Sequence, residues 1–557
     1  MKNPIVELRY SLDNSVSKSQ KPETDDYKIE FNVTDCSIKA SIVAKKIIDL
    51  HDFAMIFEHK YPDGIKVFSN GYQSWTTSRE YVKSDKMRDI TPIAFNKRLR
   101  ELAGVCSDVR FVDTPKVAGE FTSHAYTYTK DADAKLYLIG SLNEKNAFTV
   151  FYHNMNKNTI KIDVDVEGFT LREGEKFELV NAVIFEGKYD EVFDKYFEAL
   201  ALPKPRIDHM SGYTSWYNYF QNINEEIILR DLDALDYIKD SVSIFQVDDG
   251  YEPFIGDWLD ENLKDFPHGM RYISDKIHEK GYLAGIWIGP FSVEKKSKIF
   301  KEHQDWLIKD EKGKPVFSVY AWSGAYTLDI YNNEAREYIR KVLQTAIKDW
   351  NFDMVKLDFL YSQCMFPRNG KTRAQIMDDA MAFVREACED KLILGCGVPL
   401  ASSFGYVDAC RISCDVDLKY SGKIFNKLNI ANELPCAQNA ITNSIFRRHL
   451  DGRAFCNDPD VLFLRDTNLE FNDEQRLLVA TINHLFGNVL FVSDNVSEYR
   501  DEYKKLIKKV FEKSDFKIVS ADFIDKENIK IIMSKNGKEK MLKFNLKTGK
   551  NNLKMEN

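Results

Sequence analysis

With 557 residues, 44% of them apolar and 29% charged, the chain can bury a large core, and disorder is not the default expectation. Its net charge of −8, with both signs interspersed, offers no basic field for nucleic acid or an anionic membrane surface. Nine cysteines without a CxxC pair indicate neither a disulfide framework nor a zinc ribbon. With no signal-peptide pattern at the N-terminus and no apolar run of about 20 residues, a cytoplasmic protein of two or three domains is expected.

Residues 28–186 alternate apolar and polar side chains at period two, as in Ile160, Ile162, Val164 and Val166. Short turns without intervening helices predict antiparallel sheets in a sandwich. A helix follows over 188–202, where Tyr189, Val192, Phe193, Tyr196, Phe197 and Leu200 recur at helical spacing, and Pro203 and Pro205 mark a linker.

The middle of the chain changes rhythm to short apolar strands followed by amphipathic helices. The strands are GYTSWYNYF, SIFQVDDG, YLAGIWIGPF, FDMVKLDFL, LILGCGVPL, ACRISCDV, FCNDPDVLFLR and NVLFVSDN. Eight such strands predict a (β/α)8 barrel. An open doubly wound sheet is the alternative, but no GxGxxG or GxxxxGK[ST] fingerprint supports it. Helices are predicted over 224–240 and over 270–280, the second ending at Gly281. Beyond 511 the period-two pattern returns, with Asn536 and Gly537 as a hairpin turn, and the lysine-rich end at 538–554 reads as a solvated sheet edge. The expected class is α/β: a (β/α)8 TIM barrel over 206–510, an N-terminal antiparallel β-sandwich over 1–205 and a small C-terminal antiparallel β domain over 511–557.

Chemistry concentrates at the predicted C-terminal strand ends. Lys356 and Asp358, two apart in FDMVKLDFL, share one face of an otherwise apolar strand, and buried charge costs several kcal/mol unless it is compensated. Other strand ends bring Trp216, then Asp248 and Asp249, then Trp287, then Cys396, then Arg411 and Asp415, and last Asn457, Asp458 and Asp460. Carboxylates flanked by tryptophans suit a sugar, whose apolar face stacks on the rings while its hydroxyls meet the acids.

Glycosidic cleavage needs two carboxylates, and Asp358 with Asp415 is the expected pair, Lys356 keeping Asp358 ionised. The residues alone also allow a plain Lys356–Asp358 ion pair, a turn at Asp248–Asp249, tryptophans that are only core, and an Asp415 satisfied by Arg411. Asp417, two residues beyond Asp415, competes for its role if the strand continues. No metal and no cofactor is expected, since the histidines are dispersed and no HExxH or EF-hand pattern occurs.

At these residues the sequence resembles the α-galactosidases of glycoside hydrolase family 36, in their compact bacterial type. The likeness lies in NGYQSW (70–75), VDDGYE with GDW and FPHGM, GIWIGPF, KLDFL, GCGVPL, the RxxxD spacing of RISCD, and NDPDVL. It implies retaining hydrolysis by double displacement, with Asp358 as nucleophile and Asp415, not Asp417, as general acid/base. It also implies sugar contacts from Asp248, Asp249, Trp287, Lys356 and Arg411, a Trp75 that closes over the site, and Cys396 as a pocket wall. Trp216 and Asp458 complete the expected substrate-binding set. The chain departs from the family's pattern in VDLKYSGK after Asp415 and in AFC before NDPD, so the leaving-group side is expected to differ. An α-N-acetylgalactosaminidase, a transglycosylase or a non-catalytic carbohydrate-binding barrel are the other readings. The expected partner is a small carbohydrate, with no nucleic acid and no membrane.

Overall fold

The computed structural model describes residues 3–88, 112–422 and 434–554. Two antiparallel sheets, of six and seven strands, form the N-terminal part. Their facing sides bury Leu8, Phe53, Ile160 and Ile162 against Ile38, Ile42 and Leu179. The run over Thr159–Leu171 does what its period predicts, burying Ile160, Ile162, Val164 and Val166 in alternation. Strands also precede residue 28: Ile5–Leu12 pairs with Ser15–Ser19 across Asp13 and Asn14, whose φ values of 49° and 63° suit a tight hairpin. The first of these strands buries Val6, Leu8 and Tyr10, but the second is exposed and short of apolar residues.

Helix Tyr189–Leu200 buries Val192, Phe193, Tyr196 and Phe197 and ends at Ala201 in the left-handed conformation. It joins one continuous core with Tyr126 and Tyr128 of the seven-stranded sheet and with the central sheet. The sandwich is thus fixed to the barrel. Backbone bonds reinforce the junction, Ser74 N donating to Val398 O at 3.0 Å.

The central sheet is parallel. Its strands are β1 (Met210–Thr214), β2 (Ile244–Val247), β3 (Leu283–Ile288), β4 (Met354–Leu357), β5 (Leu392–Gly395), β6 (Ala409–Arg411), β7 (Cys456–Asp458) and β8 (Val489–Val492). Each pairs with the next from β1 to β7, and β8 returns beside β1. Closure depends on the segment after β7. Cys456–Asp458 pairs with β6, whereas Val461–Leu462 pairs with β8, so the predicted seventh strand is two pieces separated by Pro459 and by Asp460 at φ 78°. The sheet therefore curls into a TIM-type barrel.

Between strands, Asn224 caps helix Glu225–Ala234, whose continuation to Ser241 is a 3-10 turn and not the α-helix expected over 224–240. Gly269–Glu279 is followed by Gly281 at φ 86°, the expected left-handed terminator. A three-stranded antiparallel sheet, Lys517–Phe523, Asn528–Lys535 and Lys538–Asn545, ends the chain, with Asn536 and Gly537 at positive φ in its hairpin. No helix among the described residues is long and apolar enough to cross a membrane.

Candidate active site

A cavity of about 370 Å³ opens at the C-terminal ends of the barrel strands and takes its walls from nearly every part of the site anticipated above. Asp248, Asp249, Trp287, Lys356, Asp358, Arg411, Asp415, Trp75 and Trp216 all line it. Cys396 and Asp458 do not; both are buried behind the wall.

Asp358 follows β4. Trp287 Nε1 donates to its Oδ2 at 3.1 Å and Phe359 N to its Oδ1 at 2.7 Å, which fixes the carboxylate plane. Phe359 holds the left-handed conformation, φ 56°, a costly state for an aromatic residue that turns the chain sharply after the carboxylate. Burial raises the Asp358 carboxyl above its usual range, opposed by the field of Lys356 and by bonds from Trp287, Phe359 and Cys396.

Lys356 stands differently from the expectation. Its Nζ pairs with Asp248 Oδ2 at 2.8 Å, and Asp248 also accepts from Gln246 Nε2 at 2.8 Å and Thr214 Oγ1 at 3.2 Å. The cation thus serves Asp248 directly and Asp358 only through its field, and burial of Asp358 outweighs that field. The period of two correctly put both side chains on one face, but register with β2 across β3 chose the ion-pair partner.

Asp249 accepts from Gln221 Nε2 at 3.0 Å and from Trp322 Nε1 at 2.9 Å. Burial raises its carboxyl, and the fully buried Glu252 beside it is raised well above its usual range by burial and by the Asp249 charge. The "DDG" doublet is therefore a built pair of acids, not only a turn.

On the opposite side, β6 ends at Arg411, so Asp415 and Asp417 lie in a loop and not on one strand face. Arg411 Nη2 donates to Asp415 Oδ1 at 2.7 Å, and the Asp415 side chain remains 44% exposed toward the cavity. Asp417, at φ 60°, folds its carboxylate back onto Leu418 N at 2.6 Å and lines no part of the cavity. Trp216 does not end β1 but opens the short helix Trp216–Tyr219 after it.

Sequence reasoning missed Gln221, Trp322, Cys414, Leu434 and Pro435, which also line the cavity. They come from loops with no periodicity. The one available signal was the composition of YAWSGAY, an aromatic turn leading from strand Phe317–Val319 into strand Ala325–Thr327. Trp75 reaches the site from the sandwich side, its ring 5.4 Å from Phe359 and 5.9 Å from Tyr361. Gly397 is shaped by that ring, since a Cβ there would lie 2.8 Å from Trp75 Cζ2, and its φ is 53°.

A barrel whose strand ends converge on clustered acids and tryptophans defines the class: a TIM-type barrel with β domains and an acid- and tryptophan-lined pocket at its mouth. More particularly, residues 214–384 match the Melibiase family. Among curated relatives, α-galactosidase Mel36A of Lactobacillus acidophilus is 26% identical over 151 residues, 26% of this chain and 20% of its own length. The A type blood α-D-galactosamine galactosaminidase of Flavonifractor plautii is 27% identical over 218 residues, 36% of this chain and 20% of its own. These matches thus span about a fifth of those relatives. Among solved structures, the α-galactosidase TtGalA of Thermus thermophilus, in complex with p-nitrophenyl α-D-galactopyranoside, superposes with a TM-score of 0.70 at 21% identity, covering 92% of this chain and 98% of its own. The family 36 α-galactosidase AgaA of Geobacillus stearothermophilus gives 0.61 at 11% identity, over 98% and 81%. The likeness anticipated from sequence motifs is therefore found in both a melibiase domain and the fold of family 36 α-galactosidases.

Proposed function

We propose that the protein is a glycoside hydrolase, an exo-acting retaining α-galactosidase that removes terminal α-linked galactose through a covalent glycosyl-aspartate. The observation that carries this reading is the placement of Asp358 and Asp415 on one cavity with the Asp248–Asp249 doublet between tryptophans. Asp358 is the nucleophile. Bonds from Trp287 and Phe359 hold its oxygens in place, and its attack on the anomeric carbon consumes the negative charge that burial disfavours. Asp415, more open to water, protonates the departing oxygen and then deprotonates the water that releases the sugar. Asp248 and Asp249 accept from sugar hydroxyls, Lys356 and Arg411 donate, and Trp75, Trp216 and Trp287 enclose the ring. The divisions at 1–205, 206–510 and 511–557, and a reducing, cytoplasmic setting, belong to the same reading, supported by the sheet boundaries and by the free thiols of the described cysteines.

The test is hydrolysis of p-nitrophenyl α-galactoside with the first product's anomeric configuration followed by NMR; a β-configured first product refutes the mechanism. Asp358→Asn should lower kcat by at least about 1,000-fold, some 4 kcal/mol of barrier. A second reading, an enzyme for a 2-amino sugar such as α-N-acetylgalactosamine, draws support from a relative named for α-D-galactosamine, whose match covers more of the chain than the Mel36A match does. The N-acetyl aryl substrate, run in parallel, decides between them.

A further inference from the structure

Asp460 sits where the seventh strand breaks. Its φ of 78° is held by its own N donating to Asp458 Oδ1 at 2.8 Å and by Asn483 Nδ2 donating to its carbonyl at 3.0 Å. Only a short polar residue or glycine takes such a backbone readily. The carboxylate so aimed is buried, and a single oxygen, Oδ2, accepts from the Tyr217 hydroxyl, from Val416 N at 2.8 Å and from Arg411 Nη2 at 3.0 Å. Val416 directly follows Asp415, and the same Arg411 nitrogen donates to Asp415 at 2.7 Å. One guanidinium nitrogen therefore serves two carboxylates, one buried and one facing the cavity.

We propose that Asp460 is a positioning residue that divides the charge of Arg411 with Asp415, so that Asp415 can hold a proton in one half-reaction and take one up in the other. This rests on the acid/base role assigned to Asp415 above. As the glycosidic C–O bond breaks, the Asp415 proton passes to the leaving oxygen and Asp415 becomes an anion, to which Arg411 turns its charge. When water attacks the glycosyl-aspartate, its proton returns to Asp415, and Asp460 again compensates Arg411. Burial raises the Asp460 carboxyl to about 7, against the lowering field of Arg411, and its other titratable neighbours are Tyr217, Asp415 and Asp458. Arg411 also faces Cys396, and Asp458 faces Lys356 and Asp248.

With Asp460→Asn, Arg411 keeps Asp415 as its direct ion-pair partner, Asp458 acting on it only through its field, and this favours the Asp415 anion throughout. The alkaline limb of kcat/KM should move down by about one pH unit. The loss should be at least about tenfold greater for melibiose, which needs a protonated leaving group, than for p-nitrophenyl α-galactoside. If Asp460→Asn does not fold, Tyr217→Phe gives the same direction at smaller size. An unmoved alkaline limb, or equal losses on both substrates, overturns the proposal. Failure of the underlying reading shows separately: Asp415→Ala with azide should yield α-galactosyl azide, and its absence removes the acid/base role whatever Asp460 does.

Discussion

Replacing Lys356 by Met probes the feature on which the site turns. The ammonium lies 2.8 Å from Asp248 Oδ2, with the two side chains only 10% and 4% exposed. At an effective dielectric of about 20, the direct attraction is about 6 kcal/mol. Desolvation of both ions offsets part of that, and Gln246 and Thr214 still donate to Asp248 after the substitution. Leaving one buried charge without its partner costs about 3–5 kcal/mol, and that is the loss expected in urea unfolding followed by tryptophan fluorescence. The double variant Lys356→Met/Asp248→Asn, which leaves no orphan charge, should recover more than half of it. Loss of the Lys356 field also raises the Asp358 carboxyl further, so the acidic limb of kcat/KM should move to higher pH. An unchanged urea midpoint for Lys356→Met, or a double variant no more stable than the single, would refute the buried-pair argument.

Trp322→Phe removes the donor that lies 2.9 Å from Asp249 Oδ2; a hydrogen bond to a charged group is worth about 1.5–3 kcal/mol, so kcat/KM should fall about 10- to 100-fold while the thermal midpoint changes little. Gly397→Ala forces a Cβ to within 2.8 Å of Trp75 Cζ2 at a φ of 53°, and should quench or shift tryptophan emission and raise KM; wild-type kinetics would show that the ring is free to move. The half-buried Glu144 has its carboxyl raised from 4.5 to about 7, mainly by desolvation, so the folded form binds its proton more tightly than the unfolded chain does. Its contribution is fully present below pH 4.5 and is lost as pH rises through about 7; Glu144→Gln should flatten that part of the urea-midpoint profile against pH.

Several elements of this protein were legible because their physics is local. Period-two alternation in Ile160, Ile162, Val164 and Val166 comes from strand geometry alone, as does the hairpin at Asn536–Gly537. The strand–helix alternation from 210 onward likewise indicated a barrel, and strand ends in a barrel must converge, which put Asp248, Asp358 and Arg411 at one mouth. Motif likeness, not spacing, chose Asp415 over Asp417 as the proposed acid/base.

Other features needed the folded chain because they depend on which residues meet across long separations. Lys356 found Asp248, 108 positions away, rather than its near neighbour Asp358. The seventh strand broke at Asp460 because the barrel must pair it with β6 on one side and β8 on the other, a demand that no window of sequence contains. Gln221 and Trp322 joined the site from irregular loops whose positions only packing sets. The sequence by itself determined the elements, their order and the supply of acids at the strand ends, since these follow from local periodicity. Tertiary structure alone decided which charge neutralises which, because electrostatic energy at a few ångströms depends on distance in space and not along the chain.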